Sequence, residues 1–203
     1  MQPTEIPLTI LGQLLFTMMG SIALIPTYAG ATVGMTNRQQ RRVSFLAFGF
    51  SCLALILSVF IGAAIMASWG VSPSALMVAA GAVLILASLQ GLLGWGIKSP
   101  KSLPRAELQL AVSPIAFPTM IRPYGIGVLI IFVSYFPSLE NKLSILSISI
   151  AIMVLNLGAM FVSHRVMAAI GTVPLTILGS VFSILQVALG VEILASGLSR
   201  MSG

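Results

Sequence analysis

Between Arg42 and Lys98 the chain carries no charged side chain, and only the short VSPS at 71–74 interrupts its apolar run. The hydrocarbon core of a bilayer takes about 20 mostly apolar residues per helical span. This stretch therefore holds two spans, 43–69 and 75–97. Four more segments meet the same test: 7–28, 111–136, 143–163 and 174–198. The connections between them are too short for a soluble domain. The expected fold is all-α: one integral membrane domain over residues 1–203, with six transmembrane helices.

Composition excludes a water-soluble alternative. Only 7% of the residues are charged and 58% are hydrophobic, against about 25% charged in an ordinary soluble domain. Basic residues outnumber acidic ones ten to four, but they lie scattered between apolar runs, as topology signals do, so nucleic acid is not an expected partner. The loops after spans 1, 3 and 5 carry Arg38, Arg41, Arg42, Lys98, Lys101, Arg105 and Arg165, whereas the opposite side holds Lys142 and Arg200. By the positive-inside rule those three loops face the cytoplasm. Both termini then lie outside, on the periplasmic side of a cell inner membrane. MQPTEIP offers no basic region ahead of the first apolar run, which reads as a retained span. Cys52 is the only cysteine and His164 the only histidine. Paired-thiol chemistry and a zinc site of the usual ligands are not expected, nor is any cofactor.

Two segments echo each other. Span 1 contains SIALIPT at 21–27 and span 4 contains SPIAFPT at 113–119. Three spans separate them, so the copies enter the membrane from opposite faces, as in two inverted three-helix repeats. Each copy carries a helix-breaking proline: Pro26 in span 1, Pro114 and Pro118 in span 4, with Pro123 close behind. An interior proline costs a helix about 3 kcal/mol. Broken helices also free backbone groups that can bind a solute at the midplane. Spans 1 and 4 are the expected broken helices, although a plain kink is the competing reading of any single proline.

These residues resemble the MarC (UPF0056) family of six-span membrane proteins, over nearly the whole chain. In span 1 the family reads Asp-Pro-x-Gly-Asn-x-Pro, then Leu-Thr-x-Gly-Leu-Ser and an Arg-Arg pair. Here GSIALIPTYAGATVGMTNRQQRR keeps Pro26, Thr32, Gly34, Arg41 and Arg42. MVAAGAVLILASLQGLLG is similar to the family's glycine-rich third span. Pro-Leu-Ala-x-Pro followed by Gly-Pro-Gly appears as PIAFP and RPY, and VEILASGL is similar to Val-Gln-Phe-Ile-Leu-Asn-Gly-Leu. Gly20, Ser21, Ala23 and Leu24 replace Asp, Pro, Gly and Asn; Arg122 and Tyr124 replace two glycines; Glu192 and Ser196 replace Gln and Asn. The resemblance implies a secondary transporter or exporter of small neutral amino acids or similar small polar solutes. The rewritten span 1 motif leaves open a non-transporting membrane subunit or scaffold.

Few polar residues lie at membrane depth. Arg122 and Glu192 are ionisable, and such residues within spans are functional-site candidates by default. Thr119, Ser113, Ser21, Thr27 and Asn156 complete the candidate substrate site. Arg122 is a ligand for a substrate carboxylate, a structural partner of Glu192 or of freed carbonyls, or a snorkelling charge. Depth bears on the pairing. Arg122 lies about 16 Å beyond Ala111 and Glu192 about 27 Å beyond Pro174 at helical rise, a gap wider than one side chain comfortably covers. No Ser-His pair or metal cluster is present, so no enzyme is expected. Expected partners are the lipid bilayer and a small-molecule substrate, with a homo-oligomer or a larger membrane complex left open. Small residues at Ala79–Ala82, Ala87, Gly91 and Gly158 are expected to bring helices close.

Overall fold

The computed structural model describes residues 8–19, 24–93 and 106–202, and every regular element among them is helical. Five helices are long and apolar enough to cross a membrane, or six when a bent pair in the fourth span counts as one. Span 1 comprises Leu8–Met19 and Leu24–Ala31. Span 2 is Asn37–Ser68 and span 3 Pro73–Leu93. Span 4 comprises Glu107–Met120 and Pro123–Tyr135, bent by 59°. Spans 5 and 6 are Leu139–Ile170 and Thr172–Ser202.

Local chemistry sets several boundaries. Thr36 accepts from the Gln39 amide while the Gln39 side chain accepts from the Thr36 amide, a capping box that starts span 2. The QQRR segment thus opens a helix as well as supplying exposed charge. Span 5 runs on past the expected 163 to Ile170 and takes in His164. The connection between spans 5 and 6 shrinks to Gly171, whose φ of 79° a side chain would disfavour.

The long helices and the broken ones occupy different places. Spans 2, 5 and 6 expose large apolar side chains such as Phe45, Leu53, Leu155, Ile184 and Leu185, the surface expected against lipid. Most of the largest fully buried side chains, among them Leu11, Leu15, Met18, Met19, Leu24, Ile115, Met120 and Leu129, come from spans 1 and 4, with Leu55 of span 2 and Leu84 of span 3 beside them. Lipid cannot satisfy irregular backbone, so broken helices need a shell of protein around them. Span 2 packs against span 5, and span 3 against span 6.

The antiparallel contact of spans 3 and 6 depends on glycine. A Cβ on Gly81 would stand 2.7 Å from the Gly190 carbonyl oxygen, and one on Gly197 would stand 2.9 Å from that of Ser74. In lipid, where apolar burial drives little association, such close approach is what holds helices together. Gly81 behaves as expected of the small-residue row. Gly158 does not, because its open side has no neighbour within 4 Å.

Candidate functional site

The break in span 4 follows a local rule. Proline's ring crowds the preceding residue out of helical geometry. Ser113, Phe117 and Arg122 each precede a proline, and all three are extended, with ψ of 121°, 127° and 143°. The Ser113–Pro114 and Phe117–Pro118 peptide bonds are cis. The Thr119 hydroxyl donates to the Pro114 carbonyl at 2.7 Å, and the Ile121 amide to the Ala116 carbonyl at 2.9 Å. Pro123 then begins a helix, occupying the first turn where its missing N–H costs nothing. Pro26 lies in the helix Leu24–Ala31, and residues 20–23 ahead of it lie outside the described residues. Ser21, with the rewritten positions Gly20 and Ala23, lies outside the described residues.

Two buried amides bond backbone carbonyls of helix Leu8–Met19. Gln186 Nε2 donates to the Thr17 carbonyl at 2.7 Å, and Asn156 Nδ2 to the Met19 carbonyl at 2.8 Å. The N-terminal turn of Pro123–Tyr135 comes to the same place, where a Cβ on Gly125 would be 3.1 Å from Met19 Cε. Helix Leu8–Met19 and the first turn of Pro123–Tyr135 therefore touch at Met18 and Met19.

Arg122 stands at this meeting point as the residue preceding the helix Pro123–Tyr135. Its Nη1 donates to Tyr124 Oη at 2.6 Å and to Gln186 Oε1 at 3.4 Å. Ser88 Oγ donates to the same Oε1 at 3.4 Å. Gln186 thereby ties spans 1, 3, 4 and 6 together. Beside Arg122 opens a cavity of about 630 Å³, lined by spans 3 and 6, the break in span 4 and Pro26. Ser88, Gln90, Ser180, Ser183 and Gln186 supply its polar surface, and Val83, Leu86 and Leu175 much of the apolar remainder. Its size is within the usual range for small-molecule sites.

The candidate residues separate into distinct places. Arg122 lines the cavity, together with Pro26, Pro118 and Pro123. Asn156 is fully buried and bonds the span 1 backbone. Thr119 ties its own irregular segment together. Ser113 is exposed in a shallow hollow with Leu108 and Gln109, and Thr27 is exposed outside the cavity lining. Glu192 is exposed on span 6, and no ion pair joins it to Arg122 among the described residues.

The span 6 partner of Arg122 is Gln186, which is not among the candidate residues read from the sequence. The signal was available. Gln186 lies 12 residues beyond Pro174, about 18 Å at helical rise, which matches Arg122's depth far better than Glu192 does.

The family profile described as MarC family integral membrane protein matches residues 8–202. The chain belongs to the MarC family. It is 23% identical over 189 residues to a UPF0056 membrane protein of Buchnera aphidicola subsp. Schizaphis graminum (strain Sg), covering 92% of this chain and 89% of that protein. A UPF0056 membrane protein of Buchnera aphidicola subsp. Acyrthosiphon pisum (strain APS) is 23% identical over 193 residues, with the same coverage. No solved structure is a significant match. Within the MarC resemblance, the two glycines that this chain replaces, by Arg122 and Tyr124, are the positions whose side chains now bond each other. The two departures form one polar unit facing the cavity.

Proposed function

We propose that this MarC family protein is a secondary transporter that moves small polar solutes through the cavity beside Arg122. Small neutral amino acids are the class that the family resemblance implies. The observation that carries the reading is the broken fourth span, with Arg122 at its break, beside a partly polar cavity. Freed helix ends at membrane depth are costly unless they do something. The packing pattern supports two inverted repeats: span 2 lies on span 5, span 3 on span 6, and both pieces of span 1 touch span 4. The basic loops support an inner-membrane orientation with both termini periplasmic.

Counterflow in proteoliposomes tests this. Purified protein should exchange labelled solute from a panel of small amino acids and small organic acids, and Arg122→Gly should change the rate. Absence of exchange across the whole panel, in vesicles shown to contain folded protein, refutes it. The second reading, a non-transporting subunit, is favoured by the loss of the Asp and Asn from the span 1 motif. It expects a stoichiometric partner to co-purify in mild detergent.

A further inference from the structure

The cavity has an unbalanced charge. Arg122 borders it, and no carboxylate lines it. The chain has four acidic residues and no aspartate. Glu107 lies 3.5 Å from Arg42, Glu140 is exposed at the start of span 5, and Glu192 is exposed on span 6. Glu5 lies outside the described residues. A guanidinium at bilayer depth costs about 2.5 kcal/mol or more unless it finds a counter-charge, and protein supplies none among the described residues.

Its hydrogen-bonding capacity is also largely unspent. A guanidinium has five N–H donors, and both bonds described for Arg122 use Nη1. Nε and Nη2 remain for a carboxylate, whose two oxygens match that fork. The adjoining helix Pro123–Tyr135 adds the partial positive charge of its N-terminus.

On the facing helix, Ser180 and Ser183 donate their hydroxyl protons to the carbonyls of Thr176 and Gly179, each at 3.0 Å. Their oxygens are left as acceptors, suited to a neutral hydroxyl donor. An ammonium would meet only neutral oxygens while a guanidinium repels it. A bound zwitterion leaves the site with one net positive charge, and a bound monoanion leaves none. In a low-dielectric site that difference dominates.

Resting on the transporter reading above, we propose that the cargo is a small organic anion, of the 2-hydroxy monocarboxylate type, and not a zwitterionic amino acid. Three probes of nearly equal size separate the charges: L-lactate, L-alanine and lactamide. Calorimetry on the detergent-purified full chain should find lactate bound at least about tenfold more tightly than alanine, with lactamide weaker still. Arg122→Gln should abolish the lactate preference, and Arg122→Lys should retain part of it. The wild-type comparison stands even if a variant fails to fold. Alanine binding as tightly as lactate, or more tightly, overturns the anion assignment and leaves the transporter reading intact. Binding of none of the probes, with no counterflow of any solute, overturns both.

Discussion

Gln186 Nε2 donates to the Thr17 carbonyl at 2.7 Å, so a side chain of span 6 bonds the backbone of span 1. The same amide's oxygen faces Arg122 and Ser88. Replacing Gln186 with Leu should strand a buried carbonyl and cost about 1–3 kcal/mol. Equilibrium unfolding in detergent measures it. A loss below about 0.6 kcal/mol would place the bond among ordinary membrane hydrogen bonds and remove its special role.

Asn156 performs the parallel task for Met19. Asn156→Leu should also destabilise by about 1–3 kcal/mol. If both amides hold the same stretch of helix Leu8–Met19, the double variant should lose less than the sum of the single losses. Additive losses would show two independent supports.

Arg122 and Tyr124 form a charge-assisted pair at 2.6 Å. Tyr124→Phe keeps the ring and removes the acceptor. A double-mutant cycle with Arg122→Gln should return a coupling of about 1.5–3 kcal/mol. Coupling near zero would mean that the two departures from the family glycines arose separately.

Gly81 and Gly158 make a contrasting pair. Gly81→Ala pushes a methyl against span 6 backbone, 2.7 Å from the Gly190 carbonyl oxygen, and should cost about 1–3 kcal/mol. Gly158→Ala meets nothing within 4 Å and should be neutral or stabilising by up to about 1 kcal/mol. Thermal midpoints of the two variants in one detergent decide it, and equal midpoints would contradict the packing described.

Orientation can be read from thiols. In a Cys52→Ser background, Met201→Cys should react with a membrane-impermeant maleimide on intact cells, and Arg41→Cys only after lysis. The reverse pattern would invert the proposed topology.

The spans were legible in the sequence because lipid enforces a length and a composition, and the charge-free stretch from Val43 to Ile97 leaves little freedom. The span 4 break was equally legible, since three prolines crowded into ten residues each bias the preceding residue toward extended geometry, as Ser113, Phe117 and Arg122 show. Both are local properties. Which polar side chains share a cavity is not. Glu192 carried the stronger chemical signal, yet it stands exposed, while the less conspicuous Gln186 is buried at the depth of Arg122. Asn156 and Thr119 were legible as polar residues at membrane depth, but not the backbone carbonyls that their side chains bond. Sequence by itself determined where helices begin, break and cross, because those follow from steric and solvation rules acting within a few residues. Only the tertiary structure decided the partners of the freed carbonyls and of Arg122, because depth and rotation about each helix axis depend on how all six spans pack.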